Sequence, residues 1–161
     1  MKLLVAGVGN IFFGDDGFGP EVARALVAEP IEGVTIEDYG IRGLHLAYEM
    51  LAGYDRVFLV DAMPRGGVPG SLYVAEPEMH DAGTAPDAHR MDLENVFGLM
   101  RMIGGDSPPV TIVGCEPSDA AETIGLSEPV RYAIQPAVEL VRRLVAGALA
   151  GEATVERRIS V

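Results

Sequence analysis

One cysteine, Cys115, in 161 residues leaves no internal disulfide framework and no cysteine-rich zinc site, and is compatible with a reducing compartment. Basic residues are scarce as well. The 12 of them face 24 acidic residues, and the net charge of −12 disfavours nucleic acid or an anionic membrane surface as partner while favouring cations or basic partners. No apolar run reaches the roughly 18 residues of a membrane helix, and the one after Met1-Lys2 is too short for a signal-peptide core. A cytoplasmic protein without membrane attachment is expected. A G-x-S-x-G elbow is also absent, which argues against a serine hydrolase. Repeats and low-complexity segments are lacking. What the chain does have is 48% hydrophobic residues, enough for one sizeable core, so residues 1–161 read as a single domain.

Apolar runs at 2–7, 34–38, 56–61 and 110–115 read as strands, and a shorter run at 71–75 as a fifth. Helical periodicity falls between and after them, at 20–28, 43–51, 93–103 and 129–149. The alternation predicts an α/β fold, a mostly parallel twisted sheet of about five strands with helices on both faces. The short connection after Asp61 allows the fifth strand to run antiparallel at an edge. Residues 76–90 have no periodicity, include Pro77, Gly83 and Pro86, and are longer than most structureless connections, as functional loops often are.

The stretch GVGNIFFGDDGFGPEV, residues 7–22, joins the first strand to the first helix. A nucleotide fold would hold pyrophosphate on the amides of such a turn, with a third glycine for close helix packing. Gly7 and Gly9 are in place, but Phe12 stands at the third position. Asp15 and Asp16 stand where an anion would bind and would repel it; one of them can cap the helix, but a cap needs only one, and the loop suits a cation better.

In open α/β sheets ligands gather beyond the carboxyl ends of the strands. Asp15 and Asp16, Asp38 and Asp61 all lie at such ends and would converge if their strands are parallel neighbours. Asp61 closes RVFLVD, where an uncompensated carboxylate is costly to bury; its simpler role is to cap the following loop. His45 lies in a helical pattern and reads as a helix residue without a site role. His80 and His89 lie in the long loop, and His89, ahead of a helix, is the better anchored. Two carboxylates and one imidazole would make a mixed oxygen and nitrogen site with open positions for a divalent ion. Cys115 ends a buried run beside Glu116, the reverse of the basic surroundings a catalytic thiol needs.

Together GVGNIFFGDDGFGPEVARAL, DYGIRG, VFLVDA, the histidine before the helix after the long loop, and GLSEPVRYAIQPAVELV resemble the maturation endopeptidases of nickel-iron hydrogenases, in order over nearly the whole chain. The resemblance implies an endopeptidase that removes the C-terminal peptide of the [NiFe] hydrogenase large-subunit precursor once nickel is bound there. It implies Asp16, Asp61 and His89 as ligands of that nickel, with zinc or cadmium able to take the same place, and a part in activity for Asp38. The family often carries Glu where Asp16 stands, and DYGIRG keeps Asp38, Gly40 and Gly43 of its D-G-G-T-type segment. Asp15 is left as the candidate helix cap. Two other readings stay open: a non-catalytic nickel-site chaperone or docking factor with the same ligands, and a nucleotide-binding α/β module.

Overall fold

The structure, a computed structural model, describes residues 1–77, 92–118 and 123–152. Strands β1 (Leu3–Val8), β2 (Val34–Gly40), β3 (Arg56–Ala62), β4 (Leu72–Ala75) and β5 (Val110–Cys115) form one sheet in the order β2-β1-β3-β5-β4. Four helices, α1 (Phe18–Ala28), α2 (Gly43–Met50), α3 (Leu93–Ile103) and α4 (Glu128–Leu149), complete the α/β fold among the described residues. Strands β2, β1, β3 and β5 are parallel, and β4 runs antiparallel along β5. The expected antiparallel edge strand is present, but its neighbour is β5, which separates it from β3.

Side-chain alternation divides the core into two layers. Leu3 and Val5 of β1, with Phe58 and Val60 of β3, pack beneath Phe18, Val22 and Leu26 of α1 and Val138 and Val141 of α4. Leu4, Ala6 and Val8, with Val57 and Leu59, pack beneath Leu46 and Met50 of α2 and Val96 and Met100 of α3. The inner strands are covered on both faces, which is why β1 and β5 read as unbroken apolar runs whereas edge strand β2 alternates. Helix ends follow local chemistry. Asp92 accepts the Asn95 N–H at 2.8 Å to start α3, and Gly104, at φ 92°, stops it in a left-handed conformation that glycine adopts without strain.

Helix α1 begins at Phe18, two residues before Pro20, because a proline in the first turn sacrifices no intrahelical bond. Its first turn lies hard against the sheet. A Cβ on Gly7 would sit 2.6 Å from the Ala23 Cβ and collide with the Gly19 carbonyl. A Cβ on Gly19 would meet the Val8 nitrogen at 2.7 Å and run into the carbonyls of Val8 and Val60. Gly19 therefore fills the helix-packing role for which the spacing rule pointed to position 12. Since the obstacles are backbone, Gly19→Ala should destabilise by about 2–3 kcal/mol. That lowers the thermal midpoint by roughly 5–10 °C at this size, with the circular dichroism spectrum unchanged at 20 °C; an unchanged midpoint would show that the helix can move away.

Candidate functional site

The chain places β2 on one side of β1 and β3 on the other, so the sheet has its topological switch point between β1 and β3, where α/β folds bind ligands. Asp16 follows β1 and Asp61 is the penultimate residue of β3, so both lie at this crevice.

Asp16 belongs to a single 3₁₀ turn, Gly14–Gly17, that runs into α1. Its Oδ2 accepts the Asn10 N–H at 2.7 Å. The Gly9 N–H is taken by the Gly40 carbonyl at 2.9 Å. Gly9 itself, at φ 132°, has its Cα so close to the Asp16 main chain that a Cβ would lie 3.1 Å from the Asp16 carbonyl carbon. The amides that a nucleotide fold would turn toward phosphate are thus engaged by the protein's own backbone and carboxylate.

Asp61 is half-buried, and the burial around its carboxyl, reinforced by the negative charge of Asp16, pushes it up to about 8; a hydrogen bond from the Ala62 N–H offsets only part of this. The two carboxylates are therefore near enough for their charges to be felt by one another. Asp38 does not join them. It pairs through Oδ2 with Arg24 of α1 at 3.4 Å and accepts the Gly40 N–H on Oδ1 at 2.9 Å. Strand parity explains the separation: Tyr39 belongs to the α2/α3 layer, so Asp38 faces α1, whereas Asp61 follows Val60 of the α1/α4 layer and takes the other face. Strand β1 stands between them.

Asp15 is not the helix cap that its position suggested. Gly17 occupies the cap position of α1, and no side chain bonds there. Asp15 is fully buried and accepts the N–H groups of Ser118 and Ser127 at 2.9 and 2.7 Å and both hydroxyls at 2.8 Å. Burial alone would raise its pKa, but these hydrogen bonds outweigh it and hold the carboxyl below the ordinary range. Ser118 and Ser127 went unnoticed in the sequence because they lie 103 and 112 residues away and carry no spacing signal.

His80 and His89 lie outside the described residues. His45 is exposed on α2. Cys115 is fully buried, and burial, with the charges of Asp15 and Glu116, pushes its thiol up to about 12, so it is no nucleophile. Among the described residues, no three His, Cys, Asp or Glu side chains converge as a metal cluster. Of the three expected ligands, Asp16 and Asp61 lie among the described residues.

The family model for HycI, hydrogenase maturation protease, matches residues 20–144. The hydrogenase 2 maturation protease of Escherichia coli is 32% identical over 146 residues, covering 88% of each chain. The chain belongs to the hydrogenase maturation protease family. Among solved structures, the E. coli hydrogenase-maturating endopeptidase HybD is similar at a TM-score of 0.74 and 31% identity over 98% of both chains. The [NiFe] hydrogenase maturation protease HycI of Thermococcus kodakarensis is similar at 0.67 and 25%, covering 90% of this chain and 92% of that one.

Just before the Asp16 turn the chain exposes Phe12 and Phe13, at 63% and 48%. A groove of about 390 Å³ is lined by Ile11, by Gly14 and Gly17 of the turn, by Arg24 of α1, and by Ile124 and Arg131. No helix among the described residues is long and apolar enough to cross a membrane.

The Asp61 shift has a definite sign. Its folded-state pKa of about 8 lies above the ordinary 3.8, so between these values the folded protein binds the extra proton, and stability falls as pH rises through the window. Asp61→Asn removes that penalty. The Tm of the variant relative to wild type should therefore be more favourable at pH 9 than at pH 5; a constant difference across that range would mean that Asp61 ionises normally.

Proposed function

We propose that this chain is the endopeptidase that removes the C-terminal peptide of a [NiFe] hydrogenase large-subunit precursor, with nickel already bound in that precursor engaging Asp16, Asp61 and His89. The observation that carries the reading is the pair of interacting carboxylates, Asp16 and Asp61, at the switch point of a hydrogenase maturation protease fold. A divalent ion fits them. A cation beside Asp61 offsets both the desolvation and the repulsion by Asp16, and two carboxylates with a histidine supply mixed oxygen and nitrogen donors. Exposed Phe12 and Phe13 suit a protein substrate, since aromatic side chains are favoured at protein interfaces. The free, buried cysteine suits a reducing cytoplasm.

The substrate's nickel supplies a Lewis acid that polarises the scissile carbonyl or lowers the pKa of an attacking water. The protein's own part is positional. The Asn10 N–H orients Asp16, and the Gly7–Gly19 contact fixes the helix behind it. Asp38, engaged by Arg24 and the Gly40 N–H, orients the β2–α2 junction. The occupied amides of Gly9 and Asn10 disfavour nucleotide binding.

The deciding experiment incubates the purified chain with nickel-loaded and nickel-free precursor and follows loss of the tail by mass spectrometry. Only the loaded precursor should be cut. Asp16→Asn, Asp61→Asn and His89→Ala should each abolish cutting, and His80→Ala should leave it. A loaded precursor that is bound but stays intact would make the chain a docking factor.

A second measurement addresses the ligands directly. The free chain should bind cadmium or zinc weakly, because three ligands leave the shell open. An ion at Asp61 must displace its proton below a pKa of about 8, so affinity should rise toward pH 8 by about tenfold per unit for one proton. Asp16→Asn should weaken this binding. Affinity independent of pH from 6 to 8 would remove Asp61 from the ligand set.

A further inference from the structure

Strand β3, which carries Asp61, lies between β1 and β5. The turn that carries Asp16 leaves β1, and the chain that reaches Ser118 leaves β5. Asp15 ties these two exits together through Ser118 and ties both to Ser127 at the start of α4. A second bond, from the Gly14 N–H to the Thr123 carbonyl at 2.5 Å, joins the same segments. The turn itself packs against β3, the strand of Asp61, whereas Asp38 lies on β2 beyond β1.

We propose that Asp15 is a positioning residue whose buried carboxylate latches the Ser118 and Ser127 segments onto the Gly14–Gly17 turn and so sets the neighbouring Asp16 carboxylate against Asp61. The role attached to Asp16 rests on the peptidase reading above; the latch itself does not.

The polarity of the donors makes the carboxylate necessary. Oδ2 receives the Ser118 N–H and Oδ1 the Ser127 N–H, one backbone donor on each oxygen. The two hydroxyls on Oδ2 can rotate and reverse their role, but a backbone N–H cannot. An asparagine has one oxygen and must turn its NH₂ toward one of these N–H groups, leaving a buried donor without an acceptor. Asp15→Asn is thus close in size yet breaks the latch. The displacement passes through the shared peptide to Asp16, whose Oδ2 holds the Asn10 N–H.

The test compares wild type with Asp15→Asn, at temperatures where both are folded, in precursor cleavage and in the amide NMR signal of Asn10. For the variant, kcat should fall by roughly tenfold to a hundredfold, the scale of a slightly misplaced catalytic group, with KM within about threefold. The Asn10 amide should shift and exchange about tenfold faster or more, while amides of β1 and β3 keep their protection. A purely structural role would lower the thermal midpoint but leave kcat and the Asn10 amide of the folded variant unchanged, and that result overturns the proposal. If Asp15→Asn does not fold, Ser127→Pro replaces it. Ser127 has φ −62° and ψ 159°, a conformation that proline adopts, and the substitution deletes the N–H and hydroxyl given to Asp15. The same losses are expected, and an unmoved Asn10 amide again overturns the latch. A wild-type chain that leaves the loaded precursor intact sinks the peptidase reading alone, because the Asn10 signal still decides the latch.

Discussion

The constraint on which the site depends is the short distance at which α1 meets β1 and β3. Gly7 and Gly19 permit it: at both positions a single methyl group would collide with backbone. The contact holds the start of α1 over the switch point, so the turn before the helix has little freedom. Gly9 narrows it further by admitting the Asp16 main chain where any side chain would exclude it. Three glycines, which offer no side chain of their own, thus define where a carboxylate can stand.

The same geometry explains why an architecture shared with nucleotide-binding folds serves an acidic site. A glycine turn before a helix exposes amides, and such amides attract whatever anion is near. Here the anion is built in. Asp16 takes the Asn10 N–H, and the Gly40 carbonyl takes the Gly9 N–H. Internal partners occupy the turn's donors, and the built-in anion there is a carboxylate of the chain itself, Asp16.

Much of this was legible in the sequence. Buried parallel strands announce themselves as unbroken apolar runs, and in such sheets chemistry collects at strand ends, which pointed to Asp15, Asp16, Asp38 and Asp61 together; the choice of Asp16 and Asp61 among them came from the resemblance. Three features were hidden for distinct physical reasons. The glycine that packs the helix is Gly19, inside the helix and not at the spacing of the dinucleotide motif, because a 3₁₀ turn lengthens the loop. Asp38 shares the strand-end position of Asp61 but not its face, and the face depends on parity relative to a register that only strand pairing supplies. The partners of Asp15 are remote in the chain, so a reading by local propensity assigned it the nearest available role, a helix cap. His89 lies outside the described residues, so its part rests on the resemblance.

Two aspartates with opposite fates, Asp15 and Asp61, show how environment divides identical groups. Asp15 is the more deeply buried, yet four donors converge on it and its charge is favoured. Asp61 is less buried as a residue, but among the described residues one backbone N–H is directed at it and a like charge stands nearby, so its proton is retained to a pH of about 8. Hydrogen-bond supply, and not burial alone, decides which carboxylate is ionised. It follows that the crevice between Asp16 and Asp61 accommodates one positive charge at neutral pH. In the free protein a proton meets that need; under the proposed reading a divalent cation would replace it and would also neutralise Asp16. On that reading the proton is a competitor that the entering cation would have to displace, which would favour strongly Lewis-acidic divalent ions over monovalent ones.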